Sequence, residues 1–186
     1  MVISFQRRKN DTLARLDKSS KKSWDEKIAG LCEKINSLEN YYTTSSCSGR
    51  ILLMISLEKK QKDLFLKVYH DLVSVEKLKK ELNNLKNKEL IKFKSEPCIL
   101  HVACKNLESC QKMHDAAKNS GWKHCGIIAT GRRFVVELSS SEKLEFPIMK
   151  NGKILVDDDF LKIVLKQANE NLEKSWEKIE QMKKSI

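Results

Sequence analysis

The run Thr43-Thr44-Ser45-Ser46-Cys47-Ser48-Gly49-Arg50 sets seven small residues, six of them with a hydroxyl or thiol group, ahead of a guanidinium. Small hydroxylic side chains and accessible amides can surround an anion, and an arginine grips a carboxylate or phosphate through two nitrogens. The same composition suits a polar loop with a turn glycine before a strand. The run therefore reads as an anion cradle or as a loop. Cys47 within it becomes a nucleophile only if folding brings a histidine to it.

The histidines are His70, His101, His114 and His124. Strand alternation sets His101 apart from Leu100 and Val102, on the face of Ile99 and Ala103, while His114 follows Cys110 by one helical turn. Each can be a hydrogen-bonded core histidine. Alternatively, His101 and His114 converge from adjacent strand and helix on one pocket as acid–base groups, joined by His70 at the end of an earlier strand. Cys110 with His114 offers two ligands to a metal, but no further ligands at zinc spacing accompany them and no C-x-x-C pair occurs, so no metal site is expected. Glu96, ahead of Pro97, is a surface residue or a carboxylate held at a strand entrance. Thr130-Gly131-Arg132-Arg133 places two arginines at a tight turn, and with Arg7, Arg8 and Arg50 they make a footprint for a polyanion such as RNA, or a solvated surface.

These residues must be positioned by three blocks within one domain over residues 1–186. Residues up to about 40 are helical: Phe5 to Leu16 makes a short basic helix, Ser23-Trp24-Asp25-Glu26 a capping box, and Trp24, Ile28, Leu31, Ile35 and Leu38 fall on one helix face. A strand-rich core spans 46–150. Ile51–Ile55 and Leu64–His70 read as strands joined by a polar loop over Glu58–Asp63, and Val75, Leu78, Leu82 and Leu85 as a helix stripe. Leu90–Lys94 returns to extended chain. Cys98–Cys104 is a strand, followed by a helix capped by Asn106, with Leu107, Cys110, His114 and Ala117 along one face and Ser120-Gly121 at its end. Strands over His124–Ala129, Phe134–Leu138 and Leu144–Ile148 close the block. The stretches Leu64–Leu85 and Ile99–Ala117 share a strand, turn and helix plan, which suggests a structural duplication. A last helix runs over 157–184, with Leu161, Leu165, Ala168, Leu172, Ile179 and Met182 as a seam that skips a turn near Ser175 and Trp176. Helices at both ends of a strand-rich middle give an α+β fold with a mixed or largely antiparallel sheet from two similar strand–helix units. No Gly-rich strand-to-helix loop followed by an acidic residue marks a Rossmann-type dinucleotide site.

Composition limits the function. A chain of 186 residues with 40% hydrophobic content can bury a substantial core, and a net charge of +11 favours anionic partners. No apolar run approaches the roughly 20 residues needed to span a bilayer, and the N-terminus lacks the order of charge and apolar residues of a secretory signal. A cytoplasmic protein without membrane association, its six cysteines as free thiols, is expected.

Ser45-Ser46-Cys47-Ser48-Gly49-Arg50-Ile51-Leu52, Glu96-Pro97-x-x-Leu100-His101-Val102-x-Cys104, His114-x-x-Ala117-x-x-Ser120-Gly121 and Gly126-Ile127, in this order, resemble the wybutosine-synthesising protein three family. The resemblance spans nearly the whole chain, whose compact length resembles that of archaeal stand-alone members. It implies a methyltransferase that moves a methyl group from S-adenosylmethionine to N-4 of the tricyclic 4-demethylwyosine-type guanosine beside the anticodon of tRNA-Phe, with the anticodon loop as its contact and transient meetings with other enzymes of the pathway. Ser46, Cys47, Gly49 and Arg50 match the first motif, Glu96, Pro97, His101 and Cys104 the second, and His114, Ser120 and Gly121 the third. On this reading the run Ser45 to Arg50 holds the cofactor or a substrate phosphate, His101 or His114 accepts the proton, and His70, Glu96, Arg132 and Arg133 touch the substrate. A non-catalytic RNA-binding component of the same pathway is the alternative.

Overall fold

The helical hydrophobic period ends at Leu38, and the first strand begins at Tyr41. The structure, a computed structural model, describes residues 4–15, 24–56 and 64–186. In chain order the elements are α1 (Phe5–Leu13), α2 (Glu26–Ser37), β1 (Tyr41–Cys47), β2 (Arg50–Ile55), β3 (Phe65–Tyr69), α3 (Val75–Asn84), β4 (Ile91–Glu96), β5 (Ile99–Cys104), α4 (Leu107–Asn119), β6 (His124–Ala129), β7 (Phe134–Ser139), β8 (Leu144–Lys150), β9 (Lys153–Ile154) and α5 (Asp158–Ser185). They fall into two compact units. The first comprises the chain up to Ser48, Cys98–Ser141 and Ser175–Ile186, and the second Gly49–Pro97 and Glu142–Lys174.

Each unit has its own antiparallel sheet, ordered β1-β5-β7-β6 in the first and β3-β2-β4-β8-β9 in the second. Because β5 and β6 both run against β7, they are parallel to each other, and α4 crosses over the strand between them. The same holds for β3 and β4 on either side of β2, with α3 as the crossover. The repeated strand–helix plan of the sequence is thus an α+β architecture of two split crossovers. The neighbouring strand differs: β1 lies beside the first strand of its crossover, β8 beside the last of its own.

In the first unit Leu100 and Val102 of β5 and Val136 and Leu138 of β7 form the sheet side of a core with Ile28, Leu31 and Ile35 of α2, Cys110, Met113 and Ala117 of α4, and Ile179 and Met182 of α5. Trp122 is fully buried there, its indole N–H donating to the carbonyl of Lys178 at 3.2 Å. In the second unit Phe93 stacks on Phe146, and Phe160 at the start of α5 meets Phe146 edge-on. Asn169 of α5 bonds both the N–H and the carbonyl of Val73 just before α3. The skipped turn of the α5 seam has a use, since Ser175 is fully buried and its hydroxyl accepts from the amide of Cys98.

Several local expectations need correction. Thr43 to Cys47 is not a loop: it is most of strand β1, bulged between Thr43 and Ser45 and paired with β5. Its hydroxylic composition misleads because an edge strand with one open face needs few apolar residues. The strand β9, only two residues long, is too short for a two-residue period to mark it and is not among the strands expected from the sequence. Helix α2 starts with Asp25 at its N-cap; Ser23 lies outside the described residues, as do Leu16 and the polar loop over Glu58–Asp63. Leu107 is exposed, so the α4 stripe starts at Cys110.

One helix-to-strand tether closes the edge. At the bulge the amide of Thr43 donates to Asn36 Oδ1 at 2.7 Å, while Asn36 Nδ2 donates to the Thr43 hydroxyl at 3.0 Å. Removing the side chain strands a buried amide, a loss of about 1–3 kcal/mol. Asn36→Ala is expected to lower the urea midpoint by that amount at an unchanged slope; a midpoint like that of the parent would show the tether to be idle.

Candidate active site

The sheet of the first unit has one face under α2 and α4 and another on which, among the described residues of that unit, α1 packs. On this outer face Phe5 packs against the row Tyr42, Ala103 and Val135, with Ala129 beside it, and its ring lies 5.3 Å from that of Tyr42. The next row along the strands is Ser45, His101, Glu137 and Gly126, and the one after it Cys47, Ile99, Ser139 and His124. In the middle of this open stretch His101 Nε2 and Glu137 Oε2 are 2.7 Å apart, with the side chains 28% and 40% exposed. Thr44 donates its hydroxyl to the carbonyl of His101. A Cβ at Gly126 would meet nothing within 4 Å, so the row ends in an open backbone floor.

The pair has the form of a base with its orienting acid. When Nε2–H donates to Glu137, the Nδ1 lone pair is left to accept a proton, and the carboxylate steadies the imidazolium that results. Imidazole is the side chain suited to this exchange near neutrality.

His114 does not join it. Alternation turns His101 away from Leu100 and Val102, whereas α4 packs on those two residues, so the two histidines lie on opposite sides of the sheet. The expected pocket between them does not form. His114 Nδ1 instead contacts Asp115 Oδ1 at 3.0 Å, and hydrogen bonds from His114 and Gln111 hold the Asp115 carboxyl below its usual value. His70 follows β3 in the second unit, and His124 opens β6 at the sheet edge. Burial pushes the thiols of Cys104, Cys110 and Cys125 up, which leaves them poor nucleophiles.

The run Ser45 to Arg50 is divided by the structure. Ser45 and Cys47 share the open face with His101, and Ser46 points the other way, opposite Leu100. Ser48 is fully buried, and its amide and hydroxyl both donate to Asp25 Oδ2, at 2.9 and 3.3 Å. The turn is indeed a carboxylate cradle, but the carboxylate it holds is the protein's own. Gly49 follows with φ 100°, a conformation that disfavours any side chain. Arg50 opens β2 in the second unit, where its Nε donates to Glu96 Oε2 at 2.7 Å and its guanidinium stacks over Phe65. Two sequence motifs meet in that pair. Lys94, Glu145 and Lys92 extend it along the strands as alternating charges, with Lys94 3.0 Å and Lys92 2.9 Å from Glu145. Arg132 and Arg133 stand exposed at the turn between β6 and β7.

Sequence reasoning missed Glu137, Gly126 and Asp25 as site residues. The alternation of Val136, Glu137 and Leu138 does place Glu137 on an outer face. Its meeting with His101 depends on the register between β5 and β7, which no local signal carries.

The family model described as Methyltransferase TYW3 matches residues 7–186. The chain belongs to this methyltransferase family. Among its relatives is the tRNA(Phe) 7-((3-amino-3-carboxypropyl)-4-demethylwyosine(37)-N(4))-methyltransferase of Methanocaldococcus jannaschii, 35% identical, with 94% of this chain and 93% of that one aligned. The tRNA wybutosine-synthesizing protein 3 homolog of Danio rerio is 34% identical over 98% of this chain and 74% of its own length. Among solved structures, the PH1069 protein of Pyrococcus horikoshii superposes with a TM-score of 0.89 at 32% identity, covering 97% of this chain and 93% of the other. A member of this family, the chain therefore performs methyl transfer on an α+β scaffold of antiparallel sheets rather than a Rossmann sheet.

Two measurements test these local assignments. Asp25→Ala should lower the thermal midpoint more than Ser48→Ala, because the shorter bond to Asp25 comes from a backbone amide that any residue at position 48 supplies; equal shifts would place the tether in the hydroxyl. Hydrogen bonds from Lys92 and Lys94 hold the Glu145 carboxyl below its ordinary value. A depressed carboxyl contributes stability that is present above the unfolded value and lost as pH falls through the folded one. Glu145→Gln is thus expected to cost roughly 0.5 kcal/mol at pH 7, as for other solvent-screened pairs. The difference should shrink between about pH 5 and 3, and one constant with pH would refute it.

Proposed function

We propose that the chain transfers a methyl group from S-adenosylmethionine to N-4 of a 4-demethylwyosine-type guanosine at position 37 of tRNA(Phe), acting in the cytoplasm. The archaeal relatives carry this activity in their names. The observation that carries the reading is the His101–Glu137 pair, half-exposed on an open face beside the glycine floor of Gly126.

S-adenosylmethionine, when bound, supplies a methyl group made electrophilic by its sulfonium. The row fits such a ligand in kind: Gly126 leaves flat open space, the second oxygen of Glu137 can accept from ribose hydroxyls, and Ser45 adds a hydroxyl. Ser45, Gly126 and Glu137, with Cys47 in the next row, would hold it. Of the expected cofactor run, Ser48 is committed to Asp25 and Arg50 to Glu96. The protein's chemical task is modest, since the donor is already reactive and positioning supplies much of the rate. His101 takes the proton of the ring nitrogen on Nδ1, and Glu137 keeps the ring turned by holding Nε2–H. His114, on the far side of the sheet, has no part in this step.

Calorimetry with S-adenosylmethionine and single-turnover methyl transfer test the reading on folded variants. His101→Ala should lose about 100-fold or more in rate while still binding the cofactor, and Glu137→Gln should lose less and move the pH profile. A His101→Ala protein with the parent rate would remove the base from this pair. A parent chain that binds tRNA and no S-adenosylmethionine would leave the non-catalytic RNA-binding component as the better description.

A further inference from the structure

Arginine and lysine are distributed differently in this molecule. Of 36 basic residues only six are arginines, and five of these, Arg7, Arg8, Arg15, Arg132 and Arg133, lie in the first unit. They sit on α1, just after it, and at the turn between β6 and β7. Phe5 of α1 and Ala129, the last residue of β6, both pack against the row of Tyr42, Ala103 and Val135, which sets helix and turn at the same end of the outer face. Among the described residues the side chains of Arg7, Arg132 and Arg133 make no ion pair, and all three residues are exposed, so their guanidinium groups face solvent where an anion can reach them.

Helix α1 itself is not a core element. Its one buried residue is Lys9, whose Nζ donates to the carbonyl of Leu38 at 2.6 Å and whose charged form burial disfavours, with Glu39 partly offsetting this. Beyond Phe5, apolar burial gives little reason to dock such a helix. Its placement sets a basic helix on the same outer face as the open row of Ser45, His101, Glu137 and Gly126, which lies one strand repeat, about 7 Å, beyond the row it covers. Arginine suits this position because its planar fork grips phosphate through two hydrogen bonds.

We propose that Arg7, Arg132 and Arg133 form the phosphate-binding rim of the first unit, gripping the backbone of a single-stranded RNA loop so that the target base lies over the His101–Glu137 row. The inference rests on the RNA-substrate reading above and adds the surface that captures the substrate. The loop is the fitting form of RNA, since a base can be turned out of it toward a sheet without breaking a duplex.

The test removes the three charges together in Arg7→Ala/Arg132→Ala/Arg133→Ala and measures affinity for an unmodified tRNA(Phe) transcript across salt concentrations. A second triple, Lys86→Ala/Lys88→Ala/Lys153→Ala, removes equal charge from exposed positions of the second unit. The arginine triple should weaken binding roughly 10–100-fold near 0.1 M salt and flatten the slope of log affinity against log salt by about two, as expected for three lost phosphate contacts. Its affinity for S-adenosylmethionine and its thermal midpoint should match the parent. The lysine triple should retain nearly all RNA affinity. Equal losses from both triples, or parent-like binding by the arginine triple, would overturn the rim and leave the enzymatic reading untouched. A parent that binds tRNA through these arginines but takes up no S-adenosylmethionine would sink the enzymatic reading and leave the rim standing.

Discussion

Burial of Leu100 and Val102 against α2 and α4 is the constraint on which the candidate site depends. A strand has only two faces, so fixing those two side chains in the core fixes His101 on the other side. Glu137 follows for the same reason through Val136 and Leu138 of β7. The apolar contacts on one face thus aim a polar pair at the other, and they do so on a rigid sheet rather than a loop. A site carried by packed strands holds its geometry without further help.

The outer face has to remain open for this to matter, and the structure keeps it open while protecting its edge. Strand β1 is made of hydroxylic residues because it lies at the border of the sheet, where a more apolar strand would invite pairing with other chains. Its bulge turns an amide outward, and Asn36 takes that amide up. Five residues after that amide the chain reaches Ser48, held by Asp25 from the start of α2. The polar run is therefore mostly structural: its donors fix where one strand ends and the next begins.

Charge follows a similar division. Across β2, β4 and β8 of the second unit, Arg50, Glu96, Lys94, Glu145 and Lys92 alternate in sign, so two carboxylates offset most of the charge of three cations. Among the described residues Arg7, Arg132 and Arg133, which make no ion pair, stand in the first unit, on α1 and at the turn between β6 and β7. A net charge of +11 is thus not a uniform coat. Its effective part is local, which is where steering of a polyanion to a reactive row requires it.

Much of the fold was legible from the sequence because hydrophobic period and caps are local signals. The helix striped by Val75, Leu78, Leu82 and Leu85, the helix capped by Asn106, the strands at Ile51, Ile99 and Phe134, and the α5 seam all follow from such signals. The period also placed His101 on the face opposite Leu100 and Val102, and the repeated strand–helix plan marked the two crossovers. Composition failed at β1, where an edge strand and a polar loop use the same residues. Tertiary structure alone decided what those pieces meet. Register between strands far apart in the chain brought Glu137 to His101 and Glu96 to Arg50, and the side of the sheet on which α4 packs separated His114 from His101. Such pairings depend on the whole set of strands being in place at once, so no window of sequence contains them.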